Sequence, residues 1–404
     1  MVKSAEEVGT SQIKRKIRMG MVGGGQGAFI GAVHRKAALM DGEVEFVAGA
    51  LSASKEKAKS SAKALFLDES RSYESWQAML EGEMLLPDWQ RIDFVSIVTP
   101  NYMHFPIAKA FIEAGINVIC DKPMTFTLLE AKELVRLVDV HKVVFALTHN
   151  YTGYPLVKQA KHMVQSGQLG NLLKIVVEYP QGWLLPMLQN QEVDGVWRAN
   201  PDHAGVSNCI GDIGSHCENL AHYISGLEIK ELCADLTSYE GQPLDNDGNV
   251  LLRFENGVKG ILHVSQLSLG EENNLKIRIY GSKGAIEWHQ ENPNDLWFRA
   301  NGVPDQLYRR GNGYLCEAAV RATRLPPGHP ESFIEAFANI YKNATDCMRA
   351  KILENEATEL EMDFPNVIDG ARGLAFIETV VESNSSDQKW TPVKNFQFNQ
   401  KGTR

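Results

Sequence analysis

Ile17-Arg18-Met19-Gly20-Met21-Val22-Gly23-Gly24-Gly25-Gln26-Gly27-Ala28 runs from an apolar stretch straight into glycines, and helical spacing begins at Phe29. The apolar part reads as a buried strand, and the turn after it fits G-x-G-x-x-G/A as Gly23, Gly25 and Ala28. Such a loop suits a dinucleotide. Its first glycine makes a tight turn, its second bares the backbone to a pyrophosphate, and its small third residue lets helix pack on strand. The helix amino terminus adds the positive end that a pyrophosphate requires, so Gln26 and Gly27 are expected beside it as well.

Working outward, strands at 44–51, 93–98, 116–120 and 143–147 alternate with helices at 55–65, 73–80, 105–114 and 128–141. This order predicts a doubly wound parallel sheet whose ligands sit at the carboxyl ends of its strands. Ser52 stands at the end of the second strand, where an NAD enzyme usually carries an acid. The missing acid keeps NADP open, with Ser52 and Lys55 or Lys57 on a 2′-phosphate; equally, the two lysines only decorate the next helix. Thr99-Pro100-Asn101 and His104 follow the third strand. Asn101 also reads as a helix cap, and His104 as a structural or cofactor-lining residue. Asp121-Lys122-Pro123 follows the fourth. A lysine there, beside the positive ring of a nicotinamide, can move protons, although most lysines after a strand are solvated turn residues.

The chain has 404 residues, with 44% hydrophobic and 23% charged, which suits two domains with a core each. The division falls at 1–150, opening with a loose polar leader at 1–16, and 151–404. A net charge of −9 with dispersed basic residues argues against nucleic acid. No apolar run approaches the roughly 18 residues of a membrane span. Six cysteines without C-x-x-C spacing read as free thiols in a reducing compartment, and the cytoplasm is the expected location.

From residue 172 onward the pattern alternates instead, at 174–179, 231–239, 250–254, 258–266, 275–280 and 285–289, which predicts a sheet of about six strands. Helices are expected at 154–166, 331–350 and 366–382, the second with Phe333, Phe337, Ile340 and Tyr341 as a core stripe. Gly211-Asp212-Ile213-Gly214-Ser215-His216 opens a further helix, with Asp212 and His216 at i and i+4 on one face. A carboxylate and an imidazole so placed suit polyol recognition and proton transfer. The plainer alternative makes Asp212 a cap and His216 an interior histidine. A metal site drawn from His203, Asp212, His216 and His222 is not expected, because only the middle two share a helix face. Tyr151 lies at the crossover between the halves. Trp183, Trp197 and Arg198 fall in an irregular polar and aromatic segment that suits the wall of a sugar cleft, or equally a loop anchored by tryptophans. Arg321, Arg324 and His329 occupy a loop whose approach to the cleft the spacing does not show.

The strand-glycine-helix opening, Thr99-Pro100-Asn101 with His104, and Asp121-Lys122-Pro123, in this order, resemble the glucose-fructose oxidoreductase, inositol dehydrogenase and rhizopine-catabolism (Gfo/Idh/MocA) family. Its usual motif is Glu-Lys-Pro, so Asp121 is a conservative departure. The resemblance covers nearly the whole chain. It implies an α/β Rossmann domain followed by an α+β domain on a large, mainly antiparallel sheet, with a sugar or polyol between them. It further implies NAD or NADP as cofactor, Lys122, Asp212 and His216 as catalytic residues, and a homodimer or homotetramer formed through the second sheet. Trp197-Arg198, Gly328-His329-Pro330 and Ala336-Phe337-Ala338-Asn339 are most similar to members without a known substrate, so no particular substrate follows. The expected reaction is hydride transfer between a nicotinamide and a secondary hydroxyl of a sugar, inositol or related polyol. An NAD-dependent glycosidase or epimerase, and a non-catalytic NAD-binding regulator, are the rivals.

Overall fold

A computed structural model describes residues 15–190, 192 and 200–396. The first sheet has five parallel strands in the order β2-β1-β3-β4-β5, formed by β1 (Ile17–Gly23), β2 (Val44–Ala50), β3 (Phe94–Val98), β4 (Asn117–Cys120) and β5 (Phe145–Leu147). Nearly every residue of β1 and β3 is buried, as strands covered on both faces require. The chain reverses direction across the sheet at β1, which pairs with β2 on one side and β3 on the other. That reversal opens a crevice at the carboxyl ends of β1 and β3, where Gly23 lies opposite Val98.

Helices α1 (Phe29–Leu39), α2 (Lys55–Ala64), α3 (Trp76–Leu85), α4 (His104–Glu113) and α5 (Leu128–His141) make the crossovers. Side chains of adjacent strand residues face opposite layers: Val118, Cys120, Phe145 and Leu147 pack with Ile107 and Phe111 of α4 and Leu134 of α5. Ile119 and Ala146 join the other layer, with Val33 and Ala37 of α1. That layer is completed by Phe337, Ile340, Tyr341, Ala344 and Met348. The apolar stripe read at 331–350 is therefore a core stripe, and the core it enters belongs to the parallel sheet far earlier in the chain.

After α6 (Pro155–Gln165) comes a nine-stranded sheet in the order β13-β12-β11-β10-β6-β9-β8-β7-β14. Its strands are β6 (Leu172–Pro180), β7 (Ile229–Thr237), β8 (Asp247–Phe254), β9 (Lys259–Ser265), β10 (Lys276–Gly281), β11 (Ala285–His289), β12 (Asp295–Arg299), β13 (Gln306–Arg309) and β14 (Thr391–Pro392). Only β6 and β9 pair in parallel; all other neighbours are antiparallel. The sheet exceeds the six strands expected because β12, β13 and β14 are short and half exposed, so their apolar alternation is weak.

Short helices α7 (Leu184–Gln189) and α8 (Pro201–Ala204) precede a π-helical turn at Ile210–Gly214 that runs into α9 (Ser215–Ser225). After α10 (Glu317–Arg321), the long α11 (Phe333–Ile352) covers the first sheet and α12 (Val367–Asn384) lies over β7, α5 and α9. The opposite face of the second sheet carries Leu251 and Tyr280, both exposed, among ion pairs such as Arg253–Glu231 at 2.7 Å and Arg278–Glu178. The six cysteines are free, and no helix among the described residues is long and apolar enough to cross a membrane.

Candidate active site

The crevice above β1 and β3 widens into a cleft of about 1140 Å³, lined from the glycine loop to the ends of β6 and α9. Gly23, Gly25, Gln26, Gly27 and Ala28 all line it. A Cβ on Gly25 would stand 2.5 Å from the Leu51 carbonyl oxygen, so this position tolerates no side chain. The close helix-to-strand packing expected of Ala28 is made instead by Gly31, whose added Cβ would lie 2.3 Å from the Gly24 carbonyl oxygen. Ala28 precedes α1 without a capping side-chain hydrogen bond, and the first turn has no acid. The loop therefore offers unclaimed helix N–H groups and the helix dipole to an anion, which fits a dinucleotide pyrophosphate.

Ser52 lines the next part of the cleft, where its hydroxyl accepts from Ser54 N at 3.2 Å. Of the two candidate lysines, Lys57 lines the cleft beside Gly27, whereas Lys55 pairs with Glu74 at 2.5 Å. Thr99, Pro100 and Asn101 form the opposite lip. Asn101 caps no helix, since its amide donates to the Ala204 carbonyl at 3.0 Å and so ties that lip to α8.

Lys122 and Asp121 sit at the floor, with the Lys122-Pro123 bond cis. Asp121 Oδ1 accepts from Thr148 Oγ1 and from the Lys122 backbone N–H, each at 2.9 Å. Burial alone would raise its pKa, but His34, Lys122 and His104 outweigh burial and hold the carboxyl below the usual carboxylate range. Lys122 Nζ donates to Asp212 Oδ1 at 2.8 Å and to the Asp212 backbone oxygen. Gln266 Nε2 donates to the other carboxylate oxygen at 3.1 Å, and Asn208 in turn donates to Gln266 at 2.9 Å. Asp212 is thus no helix cap; the π turn presents it to Lys122, and π turns recur where a helix is distorted for function.

His216, in the first turn of α9, also lines the cleft. Its pKa lies well below the ordinary histidine value, first because it is buried and then because Lys122 and His149 are near, so the ring is neutral. Tyr151 faces it, ring centroids 4.7 Å apart, and shares a 2.5 Å hydrogen bond with the Tyr179 hydroxyl. The Tyr179 hydroxyl donates to Asn273 Oδ1 at 2.6 Å, and Asn273 reaches Gln290 at 3.1 Å. A neutral wall of hydroxyls and amides so faces the lysine, the carboxylate and the imidazole.

Residues 17–151 match an oxidoreductase family with an NAD-binding Rossmann fold, GFO/IDH/MocA, and residues 157–287 match the GFO/IDH/MocA C-terminal domain. The oxidoreductase YfiI of Bacillus subtilis is 33% identical, over 95% of this chain and 98% of its own length. The chain belongs to the GFO/IDH/MocA family. A solved oxidoreductase from Sinorhizobium meliloti is 43% identical, with a TM-score of 0.84 over 93% of this chain and 99% of that one. An inositol dehydrogenase homologue from Azotobacter vinelandii, solved with NADH and myo-inositol, is 32% identical, with a TM-score of 0.86 over 95% of this chain and 99% of that one.

This GFO/IDH/MocA member is accordingly an NAD-binding oxidoreductase, and its remaining predicted site residues divide in two. Tyr151 lines the cleft, while Trp183 does not; it is partly exposed and donates to Gln181 Oε1 at 3.0 Å, and Gln181 is the neighbour that lines the cleft. His104 is buried behind the lips, its ring nitrogens each 2.8 Å from a carbonyl, of Pro123 and of Thr99. It is packed between these two segments and donates to one of the two carbonyls, and it does not line the cleft. Trp197 and Arg198 lie outside the described residues. Arg321 and Arg324 are engaged by Asp346 and Asp41, each at 2.6 Å, and neither they nor His329 line the cleft. His203 stacks on Tyr102, apart from His216, and no metal-binding cluster occurs among the described residues. Sequence reasoning missed Tyr179, Asn208, Gln266, Asn273 and Gln290, which are single polar residues at strand and loop ends with no spacing to mark them.

Proposed function

We propose that this chain reversibly oxidises a secondary hydroxyl of a cyclic polyol or sugar, with inositols the leading class, using NAD or NADP. The observation that carries this reading is the 2.8 Å contact of Lys122 with Asp212, beside the neutral His216 in the cleft that begins at the glycine loop. The inositol dehydrogenase homologue solved with myo-inositol supports the substrate class. Gly23, Gly25, Gln26, Gly27, Ala28, Ser52, Thr99, Pro100, Asn101 and Asp121 would hold the dinucleotide, which supplies the hydride acceptor when bound. Lys122 holds the substrate oxygen with an N–H left over from Asp212, and stabilises the negative charge that grows there as the C–H bond breaks. His216 receives the hydroxyl proton, and Asp212 fixes the lysine and orients the ring. Tyr151, Tyr179, Asn273 and Gln290 offer neutral partners to the other hydroxyls.

The uncovered face of the second sheet, with its exposed leucine and tyrosine, is where two copies would meet, and the free thiols suit a cytoplasmic protein. The test is accumulation of reduced coenzyme over a panel of inositols, pyranoses and their anhydrides. Net reduction by one class supports the reading. Turnover without net reduction would favour a glycosidase or epimerase, and tight NADH binding without turnover on any member would favour a regulator.

A further inference from the structure

His149 has no part in the scheme above, yet it stands directly behind His216. It follows β5 at the carboxyl edge of the parallel sheet, is buried, and does not itself line the cleft. Its Nδ1 lies 3.4 Å from Nδ1 of His216, with the rings nearly perpendicular and their centroids 5.2 Å apart. Tyr151 meets His216 edge-on from another side. His216 is therefore clamped between rings with Nδ1 engaged, leaving Nε2 as the nitrogen available to the cleft.

Two neutral imidazoles that meet through their Nδ1 atoms can share only one hydrogen, and which ring carries it decides the chemistry of His216. If His149 donated, His216 Nε2 would bear a hydrogen and could not take a proton. If His216 donates, Nε2 keeps its lone pair. Lys122 lines the same cleft as His216, and its positive charge disfavours a hydrogen on the ring nitrogen left to the cleft. We propose that His149 is a positioning residue that accepts the Nδ1 hydrogen of His216 and so holds Nε2 as the proton acceptor for the substrate hydroxyl. This rests on the oxidation proposed above. The hydroxyl proton passes to Nε2, the hydride leaves to the nicotinamide, and the imidazolium keeps its bond to His149 until water removes the proton.

His149 keeps one ring nitrogen free of hydrogen. Burial first, and then Lys122, push its pKa down to about 3 against the weaker opposing pull of Asp369 and Asp121, so it stays neutral. The same Lys122 and Asp121 act on His216, and burial keeps its ring neighbours Tyr151 and Tyr179 protonated.

The test compares His149→Phe, which fills the space without an acceptor, with His149→Asn, whose side-chain oxygen can replace Nδ1. Turnover of the best polyol should fall on the order of ten- to a hundredfold in His149→Phe with KM little changed, and His149→Asn should recover most of it. Nitrogen NMR of the resting wild-type protein, assigned with His216→Gln, should show His216 protonated at Nδ1 and bare at Nε2; His149→Phe should mix the two tautomers. A hydrogen on Nε2 in the wild type, or His149→Asn as impaired as a folded His149→Phe, would overturn the proposal. The tautomer readout needs no turnover, so it still decides about His149 if no polyol is oxidised.

Discussion

Lys122 is held by Asp212 at 2.8 Å, and Asp212 by Gln266 at 3.1 Å, so the lysine is aimed before any ligand arrives. Lys122→Ala should therefore lower turnover by about a hundredfold or more while leaving NADH affinity largely intact, as steady-state rates and a fluorescence titration would show. Near-normal turnover would remove Lys122 from the chemistry. Gly31 acts on binding instead. Gly31→Ala would place a Cβ 2.3 Å from the Gly24 carbonyl oxygen, pushing α1 off the loop. The expected result is weaker NADH binding and a loss of about 1–3 kcal/mol in denaturant unfolding. Lys122, Asp212 and His216 were legible because a strand end and an i, i+4 spacing marked them. Gly31 and His149 were not, because each matters only through a neighbour brought close by packing. Thr148-His149-Asn150, at the carboxyl end of a predicted strand, was nevertheless a signal within reach.

Helix α9 carries His216 toward the cleft and Glu218 into the protein, where one carboxyl oxygen has no hydrogen-bond partner among the described residues. Burial pushes the Glu218 pKa up to about 8, with Arg372 pulling the other way, against 4.5 for an unperturbed glutamate. Between pH 4.5 and about 8 the folded protein therefore holds a proton that the unfolded chain releases. The associated stability is complete below pH 4.5 and is lost as pH rises through 8. Glu218→Gln should flatten this slope and raise the melting temperature near pH 8 by a few degrees, at roughly 1 °C per kcal/mol for a chain of this length, with little gain near pH 4.5. Melting curves at several pH values check it; an unchanged slope would mean that Glu218 ionises in the folded state. His149 and His216 act in the opposite sense, since their lowered pKa values cost stability as pH falls below 6.5. The helix itself was readable from its apolar spacing, but not the π turn before it, which depends on Asp245 binding the Asn208 and Ile210 backbone N–H groups from another strand connection.

At the scale of the molecule, one face of the nine-stranded sheet carries exposed residues with no helix of the described residues laid over it. Leu251, 46% exposed on β8, third strand from the β14 edge, is the position on which an interface between copies would press. Leu251→Arg should yield a folded protein of lower mass by light scattering with an unchanged melting curve in dilute solution; an identical mass for both proteins would place any assembly elsewhere. The parallel sheet, its glycine loop and the strand-end positions of Lys122 and Asp121 were determined by sequence alone, because hydrophobic period and turn chemistry are local properties of the chain. Only the tertiary structure decided that α11 closes the first core, that Asp212 meets Lys122, and that His149 stands behind His216. Each of those pairs lies far apart in sequence, and what joins them is the burial of apolar faces, which constrains total fit and leaves no mark at any single residue.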